Sequence, residues 1–308
     1  MTSTDTLFFG STSDSVIVLD ALYHGRIPSY RIRLIGVTTQ PPSPVGRKHT
    51  VTPTPVESWA RAHEIPVYSF PPAREKPWQY SDENSVAASL GSLGAQLLVC
   101  ASYGQKIPIS VIGNARFGGL NVHPSLLPRW RGADPVPWAI LSGDRQTGVS
   151  VVTLSAKFDE GRIIAQKKVP IKNTDRSDPL RTKLFRLGSA LLVRSLPGFL
   201  DGRQRGKKQS VLVGAYARRL TRQDGYEPWD TLQHTTGENA LRIERKIRAL
   251  APWPGVWTVV SFASGPKRLK ILDASLSNDA LRINTVQMEG KNPIPFAQFQ
   301  NAYQLGTT

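Results

Sequence analysis

One cysteine in 308 residues, Cys100, excludes any intrachain disulfide and leads us to expect a reducing compartment. No stretch approaches the roughly 20 apolar residues of a membrane span. The opening Met1-Thr-Ser-Thr-Asp-Thr passes almost at once into an apolar strand, with no room for a signal peptide. The expectation is a cytoplasmic protein without membrane association. No Gly-x-Gly-x-x-Gly follows the first strand, which argues against a dinucleotide fingerprint. No Gly-x-Ser-x-Gly elbow occurs, which argues against a serine hydrolase. The five histidines, His24, His49, His63, His123 and His234, lack ligand spacing, so no metal is expected.

Acidic residues are also scarce: 23 against 39 basic ones, a formal net charge of +16. Residues 1–200 carry a net +9 and the shorter 201–308 a net +7, so the excess is densest towards the C-terminus. Such a surplus points to a polyanionic partner. Nucleic acid is favoured over a membrane surface, because no amphipathic segment stands free of an evident core.

A chain of this length, 40% apolar, suits two domains. Leu7-Phe-Phe-Gly10, then Val16, Leu19 and Leu22 at helical spacing, reads as the first βα unit of a doubly wound sheet. Ile32 to Val37 gives a second strand, and four prolines between Pro41 and Pro53 predict an exposed loop whose tip carries Arg47 and Lys48. Leu97-Leu-Val-Cys100 reads as a fully buried parallel strand, and Ala101 to Pro108 leaves its carboxyl end, where ligands sit in such sheets. Asp178-Pro179 predicts an N-cap and N1 proline for a helix with the stripe Leu180, Leu184, Leu187 and Leu191. The polar, basic Asp201 to Gln209 predicts a boundary, giving domains 1–200 and 213–308 with a linker over 201–212. Beyond it, Thr235-Thr-Gly-Glu238 predicts a capping box for a helix with Ile243, Ile247 and Leu250 inward and Arg242, Arg245 and Arg248 outward. Alternating strands follow over Trp257–Phe262, Arg268–Leu272 and Leu281–Val286, a pattern that suits a small barrel.

The chemistry concentrates between Gly119 and Gly161. Asn121 and His123 stand two apart on a predicted strand, so their side chains leave the same face. An amide N–H can hydrogen-bond a developing oxyanion, and an imidazole can carry a proton near neutral pH. Asp159, at the end of the run from Ser150, is the expected partner of His123. Ser125, next to His123-Pro124, is read as a ligand contact or turn former and not as a nucleophile.

The run Asn121-Val-His-Pro-Ser-Leu-Leu-Pro-Arg-Trp-Arg-Gly132, with Gly143-Asp144, Thr147-Gly148-Val149 and Phe158-Asp159-Glu160-Gly161, resembles the folate-dependent formyltransferases. Within that family the match is closest to members that formylate methionyl initiator tRNA. The resemblance implies Asn121, His123 and Asp159 as the catalytic trio, with transfer through a tetrahedral intermediate. It implies 10-formyltetrahydrofolate as formyl-donor co-substrate, contacted by Ser125, Leu126, Leu127 and Pro128 and by Tyr103, Gly104 and Ile107. It also implies initiator tRNA as partner, met by Arg47 and Lys48, a Rossmann-like catalytic domain followed by an OB-like tRNA-binding barrel, and a monomer. Two rival activities share the trio: formyl transfer to a glycinamide ribotide or amino sugar, and formyltetrahydrofolate hydrolysis. Glu160 and Arg162 depart from the family's usual Asp-Thr-Gly-acidic order, and the turn Gly10-Ser11-Thr12 from its Gly-Thr-Pro.

Overall fold

The apolar tetrad Leu97–Cys100 folds as a strand buried along its whole length, inside a seven-stranded sheet. The computed structural model describes residues 2–46, 49–210, 216–233, 235–262 and 265–303. Across the sheet the order is Ile163–Pro170, Gln146–Thr153, Gly119–His123, Leu97–Cys100, Thr2–Phe9, Tyr30–Thr39 and Val67–Ser69. The last five of these are mutually parallel, and Gln146–Thr153 runs antiparallel to Gly119–His123. The chain winds outward from Thr2–Phe9 in both directions, so the order reverses between that strand and Leu97–Cys100. The expected Rossmann-like sheet is therefore present, and its switch point opens at the carboxyl ends of these strands.

The helix Ser13–His24 is capped by Thr12 and buries Val18, Leu19 and Leu22. Its Ser15 hydroxyl donates to Ala101 O at 2.6 Å, and Ser11 Oγ donates to Tyr103 O at 3.1 Å, so the first turn is knitted to the loop after Cys100. The long helix is Ser177–Leu200; it starts two residues earlier than expected, which puts Asp178 inside the first turn instead of at the cap. Leu187 and Leu191 lie at the edge of the core that Leu192, Leu196 and Leu200 enter. The proline-rich segment is not loop throughout: Ser43–Val45 and Thr50–Thr52 pair as a separate two-stranded ribbon, with Pro44 opposite Val51. An isolated ribbon has free edges, where the missing N–H of a proline costs no ladder bond. Arg47 and Lys48 lie outside the described residues.

Two compact units emerge. The first comprises Met1–Ala133, Thr147–Val169 and Arg181–Tyr216; the second comprises Asp134–Gln146, Pro170–Leu180 and Ala217–Thr308. In the second, Val256–Phe262, Gly265–Ser277, Ala280–Met288 and Ile294–Pro295 form an antiparallel sheet in sequence order, the framework of the expected small barrel-like domain. Register shifts around Asp273 bend the longest strand. Helix Gly237–Leu250 buries Ile243, Ile247 and Leu250 with Val260, Ile271 and Phe299. The capping box does not form, since the N-cap is Thr236 and its side chain makes no cap bond. Nor does Arg248 point to solvent: it is buried, with Nε 2.5 Å from Glu244 Oε1 and Nη1 donating to Asp175 O at 2.9 Å. A carboxylate one turn earlier and a free carbonyl outweighed the helical-wheel expectation. Among the described residues no helix is long and apolar enough to cross a membrane.

Candidate active site

Strand Gly119–His123 is held on both sides, parallel to Leu97–Cys100 and antiparallel to Gln146–Thr153, so its last residues are fixed at the open end of the sheet. Asn121 and His123 share one face of it, as the two-residue spacing requires. Asp159 reaches them from a turn, not from a strand end. The strand stops at Thr153, and Asp159 has φ +55°, a left-handed conformation that L-residues adopt at a cost of about 1–2 kcal/mol. Gly161 closes that turn: a Cβ there would lie 1.8 Å from Thr153 O, so only glycine lets the turn fold back on the strand.

The three side chains meet. Asn121 Nδ2 donates to Asp159 Oδ1 at 3.0 Å, and His123 Nδ1 lies 3.4 Å from the same oxygen. The other oxygen, Oδ2, accepts the Gly132 N–H at 3.0 Å. His123 Nε2 faces Trp130 O at 2.8 Å. A carbonyl only accepts, so Nε2 carries a proton, and Nδ1 is the nitrogen that faces Asp159. The His123 and Asp159 side chains are only 5% and 9% exposed, a setting in which their polar contacts are weakly screened.

Beside this group lies a cavity lined by residues that include Cys100, Gln105, Ile107, Asn121, Val152 and Asp159. Its mixture of apolar and polar lining suits a partly polar ligand. Burial, reinforced by the charge of Asp159, pushes the Cys100 thiol up to about 12, so the sulfur is inert packing in that lining. Gln105 is 2% exposed, and neither its Nε2 nor its Oε1 has a hydrogen-bond partner among the described residues.

Of the seven residues expected to contact folate, Ile107 lines this cavity. Tyr103 belongs to the core: its ring packs edge-on against Phe9 at 5.4 Å and its hydroxyl meets that of Tyr80 at 2.9 Å, with burial raising both phenols. Gly104 is exposed, with φ +86°. Ser125 is fully buried and its hydroxyl donates to Arg129 O at 2.7 Å, which makes it a turn former. Leu127 is pinned by Ser150 Oγ on its N–H at 3.1 Å and by Gln166 Nε2 on its carbonyl at 2.9 Å. Neither Leu126 nor Pro128 is among the cavity-lining residues. Gln105 and Phe158, next to the expected Gly104 and Asp159, and Lys157, two residues before Asp159, also line the cavity without having been expected at the site.

The Formyl transferase family matches residues 6–196, and the Formyl transferase, C-terminal domain matches residues 237–280. The methionyl-tRNA formyltransferase of Roseiflexus sp. (strain RS-1) is 32% identical over 97% of this chain and 92% of its own length. That of Staphylococcus epidermidis (strain ATCC 12228 / FDA PCI 1200) is 30% identical over 97% and 96%. Among solved structures, the N-formyltransferase from Helicobacter canadensis in complex with folinic acid and dTDP-3-aminofucose shares the fold, with TM-score 0.60 at 16% identity over 89% of this chain and 88% of that one. From its first strand to its antiparallel second unit, the chain belongs to the formyl transferase family.

Proposed function

We propose that this enzyme transfers the formyl group of 10-formyltetrahydrofolate to the amino group of methionyl initiator tRNA. The observation that carries the reading is the convergence of Asn121, His123 and Asp159 at the open end of the sheet. The end-to-end likeness to methionyl-tRNA formyltransferases supplies the acceptor. The cavity supports this co-substrate: apolar side chains such as Ile107 and Val152 suit a flat ring, and the unpartnered Gln105 amide suits a ring edge that both donates and accepts.

In this reading 10-formyltetrahydrofolate brings an electrophilic carbonyl, and the chain's residues do the rest. Asn121 and His123 hydrogen-bond the formyl oxygen as it turns negative on attack by the amine. One such donor is worth about 2.7–4 kcal/mol of barrier. Asp159 holds His123 and, through water, takes the proton released by the attacking nitrogen, while a proton returns to N10 as the C–N10 bond breaks. General acid–base help of this kind contributes about 10²–10⁴ in rate. The first unit serves catalysis and the second, whose C-terminal stretch is basic, binds tRNA, with Arg47 and Lys48 contacting the acceptor end.

The test is formylation of charged initiator tRNA, run beside free amino sugar, glycinamide ribotide and water as acceptors. Turnover is expected with the tRNA alone, His123→Ala should lower it by at least about 10²-fold, and Arg47→Ala should mainly raise KM for tRNA. Undiminished turnover without the imidazole would sink the mechanism, and transfer to a small amine in preference to tRNA would sink the assignment.

A further inference from the structure

Gln209 lies in the stretch that the sequence marks as a linker, yet its amide reaches the turn that carries Asp159. Nε2 donates to Asp159 O at 2.6 Å and to Gly161 O at 2.8 Å, spanning the turn with its two hydrogens. Oε1 accepts from Arg131 Nε at 3.0 Å and Nη2 at 2.8 Å. A guanidinium has no acceptor and a carbonyl has no donor, so these neighbours fix the amide in one orientation.

The contacts close on themselves. Arg131 grips Gln209, Gln209 grips the backbone of Asp159, and the residue after Arg131 gives its N–H to Asp159 Oδ2. Asp159 needs such a frame, because its left-handed backbone is disfavoured and persists only where the surroundings over-determine it. Arg131 is spent within the frame: its remaining nitrogen, Nη1, lies 3.6 Å from Glu160.

We propose that Gln209 is a positioning residue that holds the Asp159 turn so that the carboxylate meets Asn121 and His123. This rests on the role given to Asp159 above. Gln209 acts through Asp159, so its loss lowers kcat and leaves KM for both substrates nearly unchanged.

Gln209→Glu separates the two ends of the amide. A carboxylate still accepts from Arg131 but turns an oxygen, in place of the N–H donors, towards two carbonyl oxygens. A displacement near 1 Å at a reacting group costs about 10²-fold, so kcat is expected to fall by about that factor with KM within about twofold. The melting temperature should stay within about 4 °C of the parent. Gln209→Met, which keeps the volume and loses both ends, should lose kcat similarly and decides the matter if the glutamate variant melts lower. In an Asp159→Asn background, Gln209→Glu should cost less than about threefold more, because coupled residues are non-additive. Parent-like kcat in both Gln209 variants, or losses that multiply in the double variant, would overturn the proposal. Full turnover by Asp159→Asn alone would instead overturn the role of Asp159.

Discussion

Two clusters of buried polar side chains, one in each unit, are treated differently. In the second unit Glu227 is 5% exposed and closed in: Arg242 Nη1 and Lys246 Nζ each lie 2.7 Å from Oε1, and Arg242 Nη2 lies 3.0 Å from Oε2. Burial works to raise its carboxyl, and the bonds from Arg242 and Lys246 overcome this and hold it below the usual range. In the first unit the polar groups around the cavity are left incomplete. Asn121 gives one amide hydrogen to Asp159, and Gln105 gives nothing to any neighbour among the described residues. A saturated cluster stabilises the fold, whereas a buried group without a partner costs about 1–3 kcal/mol, and Gln105, which lines the cavity, is placed to recover that cost from a ligand.

Three substitutions test that contrast. Asn121→Ala should reduce kcat by about 10²–10³ and leave the melt near the parent, as loss of an oxyanion donor does; steady-state kinetics on charged initiator tRNA measure it. Glu227→Gln should leave chemistry alone and destabilise by about 1–3 kcal/mol in chemical denaturation, because Arg242 and Lys246 lose their counter-charge. The sign with pH follows from a lowered carboxyl. The stabilisation is complete above the unfolded value of about 4.3 and fades as pH falls through the lower folded value, so the gap between variant and parent should narrow under acid. Gln105→Leu should split the two effects: stability rises by about 1 kcal/mol as an orphaned amide is replaced by carbon, while KM for the folate rises. A Gln105→Leu protein less stable than its parent would erase the distinction between the two kinds of polar burial.

What could be read from the sequence was local. Apolar runs gave the strands at Leu97 and Gly119, and a spacing of two put Asn121 and His123 on one face, because period and burial are written along a single segment. Asp159 was found by its neighbours Phe158, Glu160 and Gly161, but its left-handed turn was not, since nothing in a carboxylate announces φ +55°. Gln209 was read as linker because only the fold brings it, 50 residues on, to the carbonyl of Asp159. The helix caps failed for a related reason: Asp178 and Thr235 fit the cap pattern, but where a helix starts was decided by packing and competing bonds. Discontinuous units are likewise invisible to composition, which sees only the basic stretch after Leu200.

The chain passes between its two units several times, leaving the first after Ala133, returning at Thr147, leaving again after Val169 and returning at Arg181. Trp138 and Leu141, on one of these excursions, pack against a core built mainly from residues beyond 217. A polypeptide cut at residue 200 would therefore carry orphaned apolar surface from its missing half, only a few residues from the Gly132 amide that holds Asp159.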